Sequence, residues 1–347
     1  MSIVIAGKES FIIDRTLINI TQKSFNKSGL SQFCENLKKV GVDFFEIDEK
    51  TFNIVRPLIR LENFILRIDR MDQLETCKSN KIEYIIVREV NLEFIKINYI
   101  EENYDFKIIL EIDINTHSGD FMKKIGKDMD LGRFLAIRFK GESNWFTNYY
   151  IQENVNMKTN VYACDEFSMA TAAGLQAIHK GVDYVTTAFC GTDGIYGTTA
   201  LEELLLSIKV IMGAQVNGEL CLLSEMRDQY EKITYIKLPN NKPVIGRDIF
   251  KYESGVHVAG IDKNPVTYEP FMPEMVGMER KLSLGKHSGK NSINAKLKEL
   301  GMDNNYSTLE IVKILDMVKS KSIRNKMELS DNDFIDICNG IMRRQYV

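Results

Sequence analysis

Along the first two thirds of the chain, short apolar runs recur between longer stretches in which apolar residues return every three or four positions. The first pattern is that of a strand buried on both faces and the second that of a helix with one buried face. Their alternation predicts strand and crossover helix, repeated. Eight runs rich in Ile, Val, Phe and Tyr stand out, at 11–14, 44–47, 64–68, 84–87, 107–112, 134–138, 159–163 and 184–187. Helices are predicted between them. Two of these, at 32–40 and 169–180, stop at Gly41 and Gly181, where glycine lets a helix finish in a left-handed residue.

Eight such units within roughly 200 residues predict an α/β fold of the (β/α)8 TIM-barrel kind, whose site lies at the C-terminal ends of the strands. Beyond the eighth run, 200–213 and 221–233 read as amphipathic helices. From Lys237 the composition turns to Pro, Asn and Gly. That shift divides the chain into a barrel domain, 1–236, and a small, mainly helical C-terminal subdomain, 237–347, with helices at 308–318 and 331–342.

Composition acts by exclusion. A formal net charge of −3, with Lys and Arg spread throughout, offers no basic footprint for nucleic acid or anionic lipid. No apolar run is long enough to span a bilayer, and the start MSIVIAGKESFIID is charged too early for a signal peptide, so a cytoplasmic protein is expected. Six cysteines without a C-x-x-C pair indicate neither a zinc knuckle nor a disulfide framework. Small molecules and protein are the expected partners.

Residues 246–289 concentrate chemistry: two of the four histidines and three of the six prolines fall within them. The ordered set Phe250, Glu253-Ser254-Gly255-Val256-His257, Gly260, Asn264-Pro265, Tyr268-Glu269-Pro270, Pro273-Glu274, Gly277, Arg280 and Gly285-Lys286-His287-Ser288-Gly289 resembles the segment after the barrel in homocitrate synthases and 2-isopropylmalate synthases. These are acyl-CoA:2-oxo acid condensing enzymes of the DRE-TIM metallolyase superfamily. Tyr252 departs from the pattern, standing where a histidine is often found.

The barrel rim resembles the same family in outline but not in chemistry. Asp14-Arg15-Thr16-Leu17-Ile18-Asn19-Ile20-Thr21-Gln22 matches D-T-T-L-R-D-G-E-Q at Asp14, Thr16, Leu17 and Gln22. Ile18 replaces the catalytic arginine and Asn19 the metal-binding carboxylate. In the seventh run Tyr162 and Cys164 occupy the histidine positions of H-x-H-N-D. After the eighth, Gly194, Ile195 and Thr198 stand for Glu, Arg and Asn.

Each loss has a chemical meaning. The divalent ion of these enzymes holds a 2-oxo acid by its carboxylate and carbonyl oxygens and acts as Lewis acid during enolate attack, while the arginine stabilises oxyanion charge. Tyr and Cys are poor replacements for two imidazoles, and Asn offers one weak carbonyl ligand. No metal is therefore expected on this chain. Cys164 has no neighbouring His to activate it and reads as a space-filling residue, and His117 and His179 read as surface or core histidines. Glu46 matches a rim carboxylate and is a candidate substrate-binding remnant.

In the family, the segment after the barrel covers the partner protomer's active site and donates side chains to it. The resemblance maps the donated histidine and tyrosine onto His257 and Tyr268, catalytic candidates, with Glu253 and Ser254 as substrate-binding candidates. A barrel without its chemistry beside a complete lid implies a subunit that completes another chain's site. The wording of residues 255–261 and 268–270 is nearest to nitrogenase-associated homocitrate synthases, which implies acetyl-CoA and 2-oxoglutarate. In some anaerobes this enzyme is divided into alpha and omega subunits. Resemblance to the omega type implies an intact alpha-type partner that holds the Mg, Mn or Zn ion. The alternatives at this level are a non-catalytic regulatory or scaffolding paralogue and an autonomous enzyme with new chemistry.

Overall fold

The computed structural model describes residues 3–5, 7–59, 62–116, 131–142, 157–302 and 306–343. The chain divides into two compact units, Met1–Leu238 and Pro239–Val347. His117 lies outside the described residues.

The first unit is a closed barrel. After a short strand β1 (Ile3–Ile5), antiparallel to the next, eight parallel strands follow in chain order: β2 (Lys8–Asp14), β3 (Phe44–Ile47), β4 (Phe64–Ile68), β5 (Tyr84–Arg88), β6 (Lys107–Asp113), β7 (Ala136–Glu142), β8 (Lys158–Cys164) and β9 (Tyr184–Thr187). Pairing of β2 with β9, with Phe11 opposite Tyr184 and Asp14 opposite Thr187, closes the ring. This is the TIM barrel that the eight-fold alternation predicts. Helices such as Leu30–Val40 and Ala170–His179 connect the strands, and both end at glycines with positive φ, Gly41 at 127° and Gly181 at 78°.

The expectation for the sixth barrel strand, 134–138, needs correction. That strand starts at Ala136 and runs on to Glu142, pairing through Lys140 with Tyr162 and through Glu142 with Cys164. Lys140, Gly141 and Glu142 lack the apolar character by which a strand is recognised, and pairing of Lys140 with β6 and β8 and of Gly141 and Glu142 with β8 overrides it.

Inside the barrel, side chains alternate with a period of two, so each strand contributes every second residue to the interior. At the N-terminal end that face is apolar: Ile13, Ile65, Ile86, Ile109, Ala136 and Tyr184 form one cluster, with Phe11, Phe44 and Tyr84 packed against it. Ring centroids of Phe44 and Tyr84 lie 5.0 Å apart, and those of Phe11 and Tyr184 5.6 Å apart. Toward the C-terminal ends the same face becomes charged.

The second unit pairs two short parallel strands, β10 (Lys251–Tyr252) and β11 (Lys281–Leu282), and carries helices Gly255–Lys263, Lys290–Glu299, Thr308–Asn325 and Asp331–Arg343. Its core gathers Leu284, Ile293, Leu297, Ile314, Val318 and Phe334 among others. Helix Thr308–Asn325 begins with a capping box in which Ser307 and Glu310 satisfy each other's backbone N–H. It extends a further seven residues past the expected end at 318, because Ser322 continues the buried line of Ile311, Ile314 and Val318. Among the described residues no helix is long and apolar enough to cross a membrane.

Candidate functional site

Two sets of residues carry chemistry, one in each unit. In the barrel, the inward face of the strands turns from aliphatic to ionic at Arg15, Glu46, Arg67, Glu111 and Arg138. All are buried or nearly so, and Arg138 is among the largest fully buried side chains. Arg67 grips Glu111 with both terminal nitrogens, at 3.0 and 2.7 Å, and reaches Glu46 at 3.0 Å. Arg138 donates from Nη1 to Glu46 at 2.5 Å and to Glu111 at 3.2 Å. Arg15, two residues beyond Ile13 on the same face, ion-pairs with Glu46 through Nη1 and donates from Nε to Asp193 at 2.7 Å. The Tyr162 hydroxyl donates to the same Asp193 oxygen, while its ring lies 5.0 Å from the Arg15 guanidinium carbon and 5.6 Å from that of Arg138.

The electrostatics are closed within this group. Burial alone would raise the Glu46 carboxyl, but the attraction of Arg138, Arg15 and Arg67 outweighs it and holds the group at about 2. Burial likewise works to raise Glu111, and Arg67 and Arg138 bring it below its usual range. Three guanidinium groups thus face three carboxylates, Glu46, Glu111 and Asp193.

Do these residues fit the divalent ion of the barrel family? The carboxylates of the network are committed to arginines. Asn19 donates its amide to the carbonyl oxygens of Arg15 and Thr192. Burial pushes the Cys164 thiol up to about 12, with Glu166 adding to the effect, so the thiolate that a metal needs is disfavoured. Burial also lifts the Tyr162 phenol well above its ordinary value. Among the described residues no group of three or more His, Cys, Asp or Glu is placed to hold a metal. The donor set does not fit.

Asp14 points away from this network. Its carboxylate accepts from the Thr16 backbone N–H at 2.9 Å and from the Thr16 hydroxyl at 3.0 Å. Burial, opposed by those bonds, raises its carboxyl to about 7. A pKa raised on folding gives stability that is complete below the unfolded value of 3.8 and is lost as pH rises through about 7. We expect Asp14→Asn to flatten the decline in stability between those limits, a difference of a few kcal/mol. Urea unfolding at pH 5 and pH 8 checks this. An unchanged pH dependence refutes the role given to burial.

In the second unit, Ser254 caps helix Gly255–Lys263 by accepting from the Val256 N–H, which puts His257 in the first turn. Glu253 accepts from the His287 N–H at 2.6 Å, and its own carbonyl accepts from the Ser292 hydroxyl at 2.9 Å. Both candidates therefore hold backbone. Glu269 is clamped by Arg280 through Nε and Nη2 at 2.8 and 2.7 Å, fixing the turn that follows Tyr268. The structure brings His257 and Tyr268 together, ring centroids 4.6 Å apart, and leaves both exposed. Glu46, the remaining candidate, belongs to the barrel unit, where both its oxygens are taken.

Gly260 explains itself through this pair: a Cβ there would lie 2.2 Å from Cε2 of Tyr268. Gly260→Ala must displace the phenol from His257. With four histidines in the chain, His257 can be assigned by its loss in His257→Ala spectra. Its ring-proton resonance should move in Gly260→Ala as the tyrosine ring current is lost, and a stationary resonance would sink the contact.

Reading the sequence missed Arg15, Arg67, Glu111, Arg138 and Asp193. A signal existed for the first four: each follows an inward apolar residue by two positions, as in Ile13–Arg15, Ile65–Arg67, Ile109–Glu111 and Ala136–Arg138. Asp193, in the segment after β9, had none. Ile195, where the family has arginine, is 92% exposed, and His179 is exposed at the end of its helix.

Known proteins now give this arrangement its context. The family described as "Homocitrate synthase post-HMGL domain-like" matches residues 244–326. The omega subunit of homocitrate synthase from Clostridium pasteurianum is 32% identical over 97% of this chain and 97% of its own length. Homocitrate synthase AksA from Methanothermobacter thermautotrophicus is 34% identical over 55% of this chain and 48% of that relative. Hydroxymethylglutaryl-CoA lyase from Pseudomonas aeruginosa shares the fold, with a TM-score of 0.51 at 9% identity, covering 64% of this chain and 91% of the lyase. The barrel, the segment that follows it and a full-length likeness to an omega subunit agree: the chain belongs to the homocitrate synthase and 2-isopropylmalate synthase family of the DRE-TIM metallolyase superfamily.

Proposed function

We propose that this chain is one subunit of a cytoplasmic homocitrate synthase complex that condenses acetyl-CoA with 2-oxoglutarate and water to homocitrate and CoA. Its contribution is the post-barrel unit, laid over the active site of an intact, alpha-type partner that holds the divalent ion. The observation that carries this reading is a contrast. The barrel's inward carboxylates Glu46, Glu111 and Asp193 are engaged by Arg15, Arg67 and Arg138, whereas His257 and Tyr268 stand side by side and open to solvent.

An imidazole and a phenol in contact can relay a proton between an acyl-CoA methyl group and a forming tertiary alcohol. His257 is the group to exchange that proton, and Tyr268 the hydrogen-bond donor to developing oxygen charge. Glu253 and Ser254 then serve the substrate through the helix start they anchor.

The isolated chain should release no free thiol from acetyl-CoA with 2-oxoglutarate, while mixing with an intact synthase subunit should give a stable heteromer by gel filtration. Thiol release by the pure chain would overturn the shared-site reading. A heteromer whose turnover ignores His257 would favour a regulatory or scaffolding role instead.

A further inference from the structure

We propose that Arg280 is the positioning residue of the His257–Tyr268 pair: by clamping Glu269 it sets where the Tyr268 phenol stands, so that turnover at the shared site depends on a guanidinium acting through a neighbouring residue. The kinetic part rests on the shared-site reading, and the geometric part concerns this unit alone.

Residues 268–273 alternate in exposure. Tyr268, Pro270 and Met272 are exposed, whereas Glu269 and Pro273 are buried and Phe271 is half-buried. Glu269, only 8% exposed, receives Arg280 in a two-bond fork, Nε to Oε1 at 2.8 Å and Nη2 to Oε2 at 2.7 Å. The Phe271 ring meets that of Phe250 edge-on, with centroids 5.2 Å apart. In such an alternation, holding Glu269 and Phe271 inward turns Tyr268 outward.

Both anchors belong to the frame that also carries His257. Arg280 immediately precedes β11, and Phe250 immediately precedes β10, which leads through Glu253 and the Ser254 cap into helix Gly255–Lys263. The Lys281 N–H donates to the Phe250 carbonyl and the Ser283 N–H to the Tyr252 carbonyl, both at 3.0 Å, joining the two strands. The histidine is thus tied to this frame by chain continuity and the tyrosine by the Glu269–Arg280 fork. A second acid, Glu274, lies 3.5 Å from Arg280 Nη1 and helps to hold the guanidinium in place. Without Arg280 the Glu269 carboxylate would be buried and unpaired, a cost relieved by swinging it out to water. Tyr268, its chain neighbour, would move with it.

Two readouts test this: the His257 ring-proton resonance in the full chain, and steady-state thiol release by the complex reconstituted with an intact synthase subunit. Arg280→Met should shift the His257 resonance, as Gly260→Ala does. It should also lower kcat by roughly ten- to a hundredfold, the size expected for a reacting group misplaced by about an ångström, with KM changed by less than about threefold. Arg280→Lys keeps the charge but not the fork and should fall between wild type and Arg280→Met. In a Tyr268→Phe background Arg280→Met should cost less than about threefold more, because the phenol it positions is already gone. An arginine that only stabilises the fold would cost the same in both backgrounds. Should Arg280→Met fail to fold or assemble, Glu269→Gln takes its place in the same comparisons. An unmoved His257 resonance, a wild-type kcat, or a full further loss in the Tyr268→Phe background would each overturn the proposal. Turnover indifferent to His257→Ala as well as to Arg280→Met would sink the shared-site reading with it. Turnover lowered by His257→Ala but spared by Arg280→Met would sink the positioning role alone.

Discussion

Replacing His257 by alanine lowers the turnover of the mixed complex by roughly two to four powers of ten, the usual contribution of a positioned acid or base, and leaves fold and association intact. The expectation follows from exposure and cost. The His257 ring lies against Tyr268, itself 43% exposed, so its loss opens no cavity in the unit's core. The matched control is Cys164→Ala in this chain's own barrel, which should leave turnover within a small factor of wild type. Steady-state thiol release by complexes reconstituted with each variant, after gel filtration to show equal assembly, makes the comparison. Undiminished turnover with His257→Ala would mean that the His257–Tyr268 pair is structural.

Glu46→Ala should destabilise the barrel by about 3–5 kcal/mol, the range for breaking a buried ion pair by removing one partner. Glu46 is wholly buried and shared by three arginines, so its loss leaves three guanidinium groups facing two carboxylates. For a unit of this size the melting temperature should fall by on the order of 10 °C. Glu46→Gln keeps the shape and some acceptor capacity and should fall less. The sign with pH is opposite to that for Asp14. Because the Glu46 carboxyl is held at about 2, its contribution is present above the unfolded value of 4.5 and is lost as pH falls through about 2. Urea unfolding at neutral pH decides the matter: a loss under about 1 kcal/mol would show that the network is worth no more than a surface pair.

Much of the fold was legible because it rests on local periodicity. The apolar runs at 44–47, 64–68 and 184–187 coincide with observed strands, since every strand of a closed parallel barrel is apolar on the side that meets the helices. Where a strand's inward face is ionic, as at 140–142, the same reading stopped short. The post-barrel segment was legible for a different reason: each of its unusual residues answers a local demand, Ser254 capping a helix, Gly260 making room for Tyr268, Glu269 receiving Arg280.

The sequence by itself determined the eight-fold strand and helix order, the residue types Asn19, Tyr162 and Cys164 at positions where the resemblance implies metal ligands, and the presence of a His and a Tyr in a family-like segment. Tertiary structure alone decided which charges meet inside the barrel. Arg15 reaches Asp193, 178 residues away, and Arg138 reaches Glu46, 92 residues away. Periodicity reports which face a residue takes; it does not report which charge from another strand will meet it there. Barrel closure brings those inward positions to one level, and the cost of burying any charge unpaired then selects the partners.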